Sequence, residues 1–253
     1  MAGSSESRRI RPGPRQQRAL GAMDVQVWIP RAGPSVPAAA ATAPVPASAA
    51  LGMEPDPAPG IMAASGPELA AWTELRAEVA ACTRCDLHKT RMQTVFGIGS
   101  PQARWLVIGE APGADEDRLG EPFVGRAGQL LTEMLRAVGL SREQVFIANI
   151  LKCRPPENRD PKPEEAKSCE NYLQRQIALL QPGLIIAVGR IAAQNLLGVD
   201  TPIGKLRGQV HAYEPAGIPV VVTYHPAYLL RSPGQKARAW DDLCLARSLV
   251  APV

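Results

Sequence analysis

Apolar residues along this chain fall into short unbroken runs, separated by stretches in which they recur every three or four positions. The runs over residues 105–108, 145–150, 184–188 and 220–224 are too short for helices and show no polar alternation, which predicts strands buried on both faces. Between them the spacing is helical. Leu130, Leu131, Met134, Leu135 and Val138 mark the inner face of a helix over residues 126–138, with Gly139 ending it. Further helices are predicted over residues 163–180, 191–197 and 235–249. Upstream, Glu68, Leu69, Trp72, Leu75 and Val79 predict a helix that runs directly into Cys82-Thr83-Arg84-Cys85. Residues 198–217 read as irregular, with a hairpin around 205–213. Strands alternating with helices predict an α/β fold in three layers, α/β/α, around a central four-stranded parallel sheet.

Residues 1–66 lack this pattern. They are rich in Ala, Pro, Gly and Ser, with one brief apolar stretch at 25–30, and cannot bury enough apolar surface to offset their ordering entropy. The expectation is a disordered tail over 1–66 followed by one folded domain over 67–253. The tail arginines Arg8, Arg9, Arg11, Arg15 and Arg18 are compatible with a basic arm on DNA or with a plain solvated segment.

Hydrophobic content of 45% is that of a globular protein, and aromatics at 4% are scarce enough for each one to be informative. Six of the 28 basic and four of the 24 acidic residues lie in 1–66, leaving 22 against 20 for the rest. Any affinity for nucleic acid must therefore come from local clustering. No run approaches the roughly 18 apolar residues of a membrane span, and the early arginines precede no apolar segment with a cleavage site. The expected compartment is the cytoplasm.

The run 105–108 ends in Gly109-Glu110-Ala111-Pro112-Gly113, a turn at the carboxyl end of a strand, where open α/β sheets place their ligands. Its glycines let backbone N–H groups approach a ligand, and Glu110 sets an acceptor beside them. Phe123, Asn149 and His225-Pro226 lie near the ends of other segments. Five cysteines, an odd number, point to ligation more than to a disulfide framework. Cys82 and Cys85 form a C-x-x-C that ends a helix, whereas redox pairs open one, and the distant Cys153 and Cys169 can complete a four-thiolate set. Four thiolates accept either zinc or an iron–sulfur cluster. Cys244 occupies an apolar helix position and reads as core.

From Cys82 onward the chain resembles the family 4 uracil-DNA glycosylases, the iron–sulfur type of bacteria and archaea. The resemblance rests on GEAPG at 109–113, the following ADED and EPFVGRAG, Asn149 ahead of KCRPP, and HPAYLLR from His225. It implies a four-stranded parallel sheet between helices and a [4Fe–4S] cluster on Cys82, Cys85, Cys153 and Cys169. It also implies a repair enzyme that flips uracil out of single- or double-stranded DNA and hydrolyses its N-glycosidic bond as a monomer. Rival expectations are a related glycosylase for other deaminated bases, a relative that traps uracil covalently, and a non-catalytic iron–sulfur protein that binds DNA or transfers electrons. The trapping relatives carry an inserted basic, His-containing loop after the region around Arg126, and this sequence has none.

A flipped pyrimidine needs an aromatic face, a reader for its Watson–Crick edge and a donor for the oxygen that gains charge as the bond breaks. The resemblance assigns the face to Phe123. Asn149 can donate to O4 and accept from N3–H, an order that cytosine reverses. His225 is the candidate donor to O2, with Gly109, Glu110 and Ala111 offering further contacts to the base. Related glycosylases carry a carboxylate where this chain has Ala111, so Glu116 is the candidate to orient water, to wall off the methyl group of thymine, or to stand in a solvated acidic turn. Leu229, Leu230 and Arg231 are expected to support the extruded base, two as an apolar wedge and one on phosphate. Arg126, Lys205, Arg207, Lys236 and Arg238 are further candidates for phosphate contact.

Overall fold

The computed structural model describes residues 66–250, so the tail expected over 1–66, apart from its last residue, lies outside the described residues. Its chain order is α1 (Gly66–Ala80), β1 (Ile98–Gly99), β2 (Trp105–Gly109), α2 (Ala114–Leu119), α3 (Arg126–Ala137), β3 (Phe146–Asn149), α4 (Pro163–Leu180), β4 (Leu184–Val188), α5 (Arg190–Leu197), α6 (Ile203–Leu206), β5 (Val210–Tyr213), β6 (Ile218–Thr223), α7 (Pro226–Arg231) and α8 (Lys236–Leu249). The sheet has six strands rather than four, in the order β1-β3-β2-β4-β6-β5. Pairings β3–β2, β2–β4 and β4–β6 are parallel, while β1 and β5 close the two edges antiparallel.

Alternate residues of the unbroken apolar runs feed two cores. Leu106 and Ile108 of β2, with Ile185 and Val222, pack against α1 and α4 through Trp72, Leu75, Tyr172 and Leu173. Trp105 and Val107, with Ile186 and Val221, pack against α3 and α8 through Leu131, Leu135, Leu243 and Ala246. Helices thus cover both faces. A fully buried Leu or Ile contributes roughly 1.5–3 kcal/mol of transfer free energy, so these strands are fixed by packing on each side. Because the inner strands are parallel, the loops after β2, β3 and β6 emerge at one edge.

Three differences from the sequence expectation concern short elements. The acidic stretch after Gly113 is a helical turn, α2, capped at Gly120 in the left-handed region (φ 77°). The stretch HPAYLLR is the helix α7, with Pro226 in its first turn and Ile203–Leu206 a further single turn nearby. The expected hairpin over 205–213 is instead β5 returning into β6. Elements of four to six residues span too few turns to display a period.

Candidate active site

Glu110, Ala111, Pro112, Gly113, Glu116, Phe123, Asn149, His225 and Arg231 line one cleft of about 450 Å³, closed on its far wall by Asn158, Arg159 and Asp160. That volume lies in the range of small-molecule sites, roughly 300–1,000 Å³. Gly109 packs directly against two of these residues. A Cβ there would stand 2.5 Å from both Asn149 Oδ1 and Phe123 Cζ, so only glycine lets the strand end lie against the two side chains.

Phe123 is held in a left-handed conformation (φ 54°), rare for a bulky residue and costing about 1–3 kcal/mol. The surroundings fix it from two sides. Arg142 donates through Nη1 to the Phe123 carbonyl (3.2 Å) and through Nη2 to that of Pro122 (2.9 Å). On the other side the Glu116 carboxylate accepts from the backbone N–H of Val124 (2.9 Å), Gly125 (3.1 Å) and Gly113 (3.1 Å). Gly128 of α3 completes the mount, since a Cβ there would fall 1.7 Å from the Phe123 carbonyl oxygen. The ring then sits 5.7 Å from that of His225, centroid to centroid.

Asn149 ends β3 and is 2% exposed, and its Oδ1 has no hydrogen-bond partner. A buried, unmatched acceptor costs about 1–3 kcal/mol, which marks it as a group kept for a ligand donor. His225 caps α7, where its Nδ1 accepts from the Ala227 N–H at 3.2 Å. Because that backbone group only donates, the ring proton must sit on Nε2. Burial, reinforced by the positive Arg231, lowers the His225 pKa to about 4, so the imidazole is a neutral donor at physiological pH. Glu110 shifts in the opposite sense. Burial and then the negative Asp160 raise its carboxyl to about 7, against the opposing pull of Arg190, which pairs with Asp160 at 2.8 Å.

Several expected residues occupy other positions. Leu229, expected beside Leu230 in an exposed wedge, is 1% exposed and packs on Tyr224 and Ala239, whereas Leu230 is 37% exposed. The cause is helical: in α7 consecutive side chains point roughly 100° apart. Glu116, a candidate to orient water, spends its carboxylate on three backbone donors. It also fills the space beside Gly113, where a Cβ would meet its Oε2 at 2.7 Å. Nor is the acidic turn solvated throughout, since Asp117 is buried and accepts from the Met92 N–H at 3.0 Å. Arg207 is bound to buried Asp242 at 2.9 Å and is spent within the fold. Cys244, expected in the core, is exposed.

Sequence reasoning named Glu110 as an acceptor but not its raised pKa, and it missed the clamp Arg142 and the wall 158–160. The last carried a signal in the Pro-rich run from Cys153 to Pro163, whose turn-forming residues include Asn158 in a left-handed conformation (φ 55°).

Behind the cleft, Cys82, Cys85, Cys153 and Cys169 line a second, narrow cavity with Arg91, Lys152 and Tyr172. All four are free thiols. Arg91 donates to Cys153 Sγ at 3.0 Å and to the Cys82 carbonyl at 2.8 Å, and the Lys152 N–H donates to Cys169 Sγ at 3.3 Å. Burial raises the Cys153 and Cys169 pKa values, the latter to about 11. A donor set made only of sulfur, supplied with N–H donors, fits the iron–sulfur group implied by the resemblance. Among the described residues no three His, Cys, Asp or Glu side chains form a site for a single ion.

An α/β domain that gathers an aromatic ring, an unmatched amide and a neutral imidazole at the strand ends is built to hold a flat polar ring. The family model of the uracil DNA glycosylase superfamily matches residues 96–244. A type-4 uracil-DNA glycosylase of Archaeoglobus fulgidus is 50% identical over 162 residues, 62% of this chain and 81% of the relative. Proteins of the same description from Pyrobaculum aerophilum and Thermotoga maritima are 44% and 43% identical, covering 65% and 67% of this chain and 87% and 89% of the relatives. This chain belongs to the type-4 family of the uracil DNA glycosylase superfamily.

Proposed function

We propose that this protein is a DNA-repair uracil-DNA glycosylase, which draws uracil out of DNA, hydrolyses its N-glycosidic bond and leaves an abasic site. The observation that carries the reading is the buried, partnerless Asn149 Oδ1 in a cleft that Phe123 and His225 also line. Uracil presents a donor, N3–H, to such an acceptor, whereas cytosine presents a lone pair there and leaves the site unmatched.

Bond breaking leaves the electron pair on the base and a cationic centre on the sugar. His225 Nε2–H donates to uracil O2 as that oxygen gains charge, and the neutral imidazole keeps that proton as a hydrogen-bond donor while the base leaves as an anion. Ionised Glu110 stabilises the sugar cation and accepts the proton of the water that adds to the anomeric carbon. Glu116 holds the Phe123 loop and walls the cleft beside Gly113, a position that excludes the methyl group of thymine. Leu230 and Arg231 support the gap and the phosphate backbone.

Cys82, Cys85, Cys153 and Cys169, which ring one cavity, would hold a [4Fe–4S] cluster, and when bound it would tie the end of α1 to α4 and to the loop after β3. Release of free uracil from a uracil-containing oligonucleotide tests the function, with thymine, cytosine and other deaminated bases as controls. Absence of uracil release from iron-loaded protein contradicts it.

A further inference from the structure

Lys152 stands between the Asn149 end of β3 and the thiol cage; it is the first residue of KCRPP, but the resemblance assigns it no role and the reaction above does not use it. Its side chain is 1% exposed, and it has no carboxylate partner among the described residues. Burying an ammonium costs several kcal/mol unless charge and hydrogen bonds compensate it. The hydrogen bonds are specific. Lys152 Nζ donates to the Asn149 carbonyl at 2.8 Å and to Gln176 Oε1 at 2.7 Å, while Gln176 Nε2 donates to the Phe96 carbonyl at 2.9 Å. The same residue sends its backbone N–H to Cys169 Sγ at 3.3 Å and is followed in the chain by Cys153. Lys152 thus lines the cavity of the four thiols, and a cation there offsets the negative charge they carry as ligands.

We propose that Lys152 is a positioning residue that fixes the base-reading end of β3 and the sulfur cage from one buried point, so that uracil discrimination and the charge state of the cage are coupled. The proposal rests on Asn149 as the base reader. A filler side chain would need only the volume of lysine. A coupling residue needs both its donors and its charge, and these separate by substitution.

The test uses iron-loaded protein carrying Lys152→Met, which removes donors and charge, and Lys152→Gln, which keeps a donor. Single-turnover excision of uracil against cytosine gives discrimination, and protein-film voltammetry gives the cluster potential. The expected result for Lys152→Met is a discrimination ratio at least tenfold below the parent together with a more negative potential, since a cation favours the reduced cluster. Lys152→Gln is expected to show the same shift in potential with discrimination largely restored. Parental discrimination and potential in both variants, with only a lower melting temperature, overturn the proposal. If neither variant assembles its cluster, Gln176→Leu takes their place, because it keeps the lysine and removes one of its acceptors. Lower discrimination in that variant supports the coupling, and parental discrimination refutes it. Failure of Asn149 variants to alter base choice in an otherwise normal protein would instead refute the reading of the cleft.

Discussion

The thiol cage and the base cleft share the segment from Asn149 to Cys153, yet they treat their polar groups in opposite ways. In the cage, sulfur atoms receive Arg91 and the Lys152 N–H, and buried Lys152 finds two acceptors. In the cleft, Asn149 Oδ1 is left without a partner, Phe123 is held at positive φ, and Glu110 and His225 are pushed to opposite sides of their ordinary ranges. Matched groups stabilise a fold. Unmatched and strained ones are kept for a ligand, and the surrounding structure offsets their cost.

The comparison predicts that damage to the cage is felt first as lost folding. Cys153→Ala is expected to lose iron and the broad visible absorption of a thiolate-ligated cluster, because metal-binding energy is folding energy here. A loss of about 5 kcal/mol would lower the melting temperature by roughly 10–20 °C at this chain length. Calorimetry with iron analysis checks it, and a stable, iron-free, active variant would break the distinction.

Damage to the cleft should spare the fold and change the chemistry. His225→Ala is expected to slow single-turnover excision by about 10²–10³ while affinity for uracil-containing DNA stays near the parent value, since the contact strengthens only as O2 gains charge. Phe123→Ala should weaken capture of the base by roughly 1–3 kcal/mol, read as a higher dissociation constant for uracil-containing DNA.

The pH profile sharpens the contrast further. Because the Glu110 carboxyl is raised to about 7, its active anion forms as pH rises through that value, and the rate should fall about tenfold per unit below it. The His225 ring, lowered to about 4, stays neutral across this window and contributes no limb there. Glu110→Gln is expected to be slower and flat between pH 5 and 7. A parental profile already flat through pH 7 would remove Glu110 from the reaction.

The parallel core strands were legible because parallel strands buried on both faces appear as unbroken apolar runs. The edge strand β1, only two residues long, and the six-residue helices α2 and α7 left no period to read. Motif order identified the aromatic, amide and imidazole of the cleft. The inward turn of Leu229 and the bonding of Glu116 depend on the direction of side chains within short helices, which spacing does not encode when the helix itself goes unrecognised. The Glu110 shift arises from burial and from Asp160, a residue fifty positions away in the chain, so only the folded arrangement reveals it.

The central claim is that the Asn149 amide, accepting from N3–H and donating to O4, selects uracil, and the most direct measurement is single-turnover excision by Asn149→Asp on uracil- and cytosine-containing strands of otherwise identical sequence. The substitution keeps size and acceptor but replaces the donor meant for O4 with a second acceptor. The account predicts that uracil binding and excision fall together, that the uracil-to-cytosine ratio drops, and that cluster content and melting temperature stay close to the parent. Parental uracil excision with an unchanged ratio would contradict it.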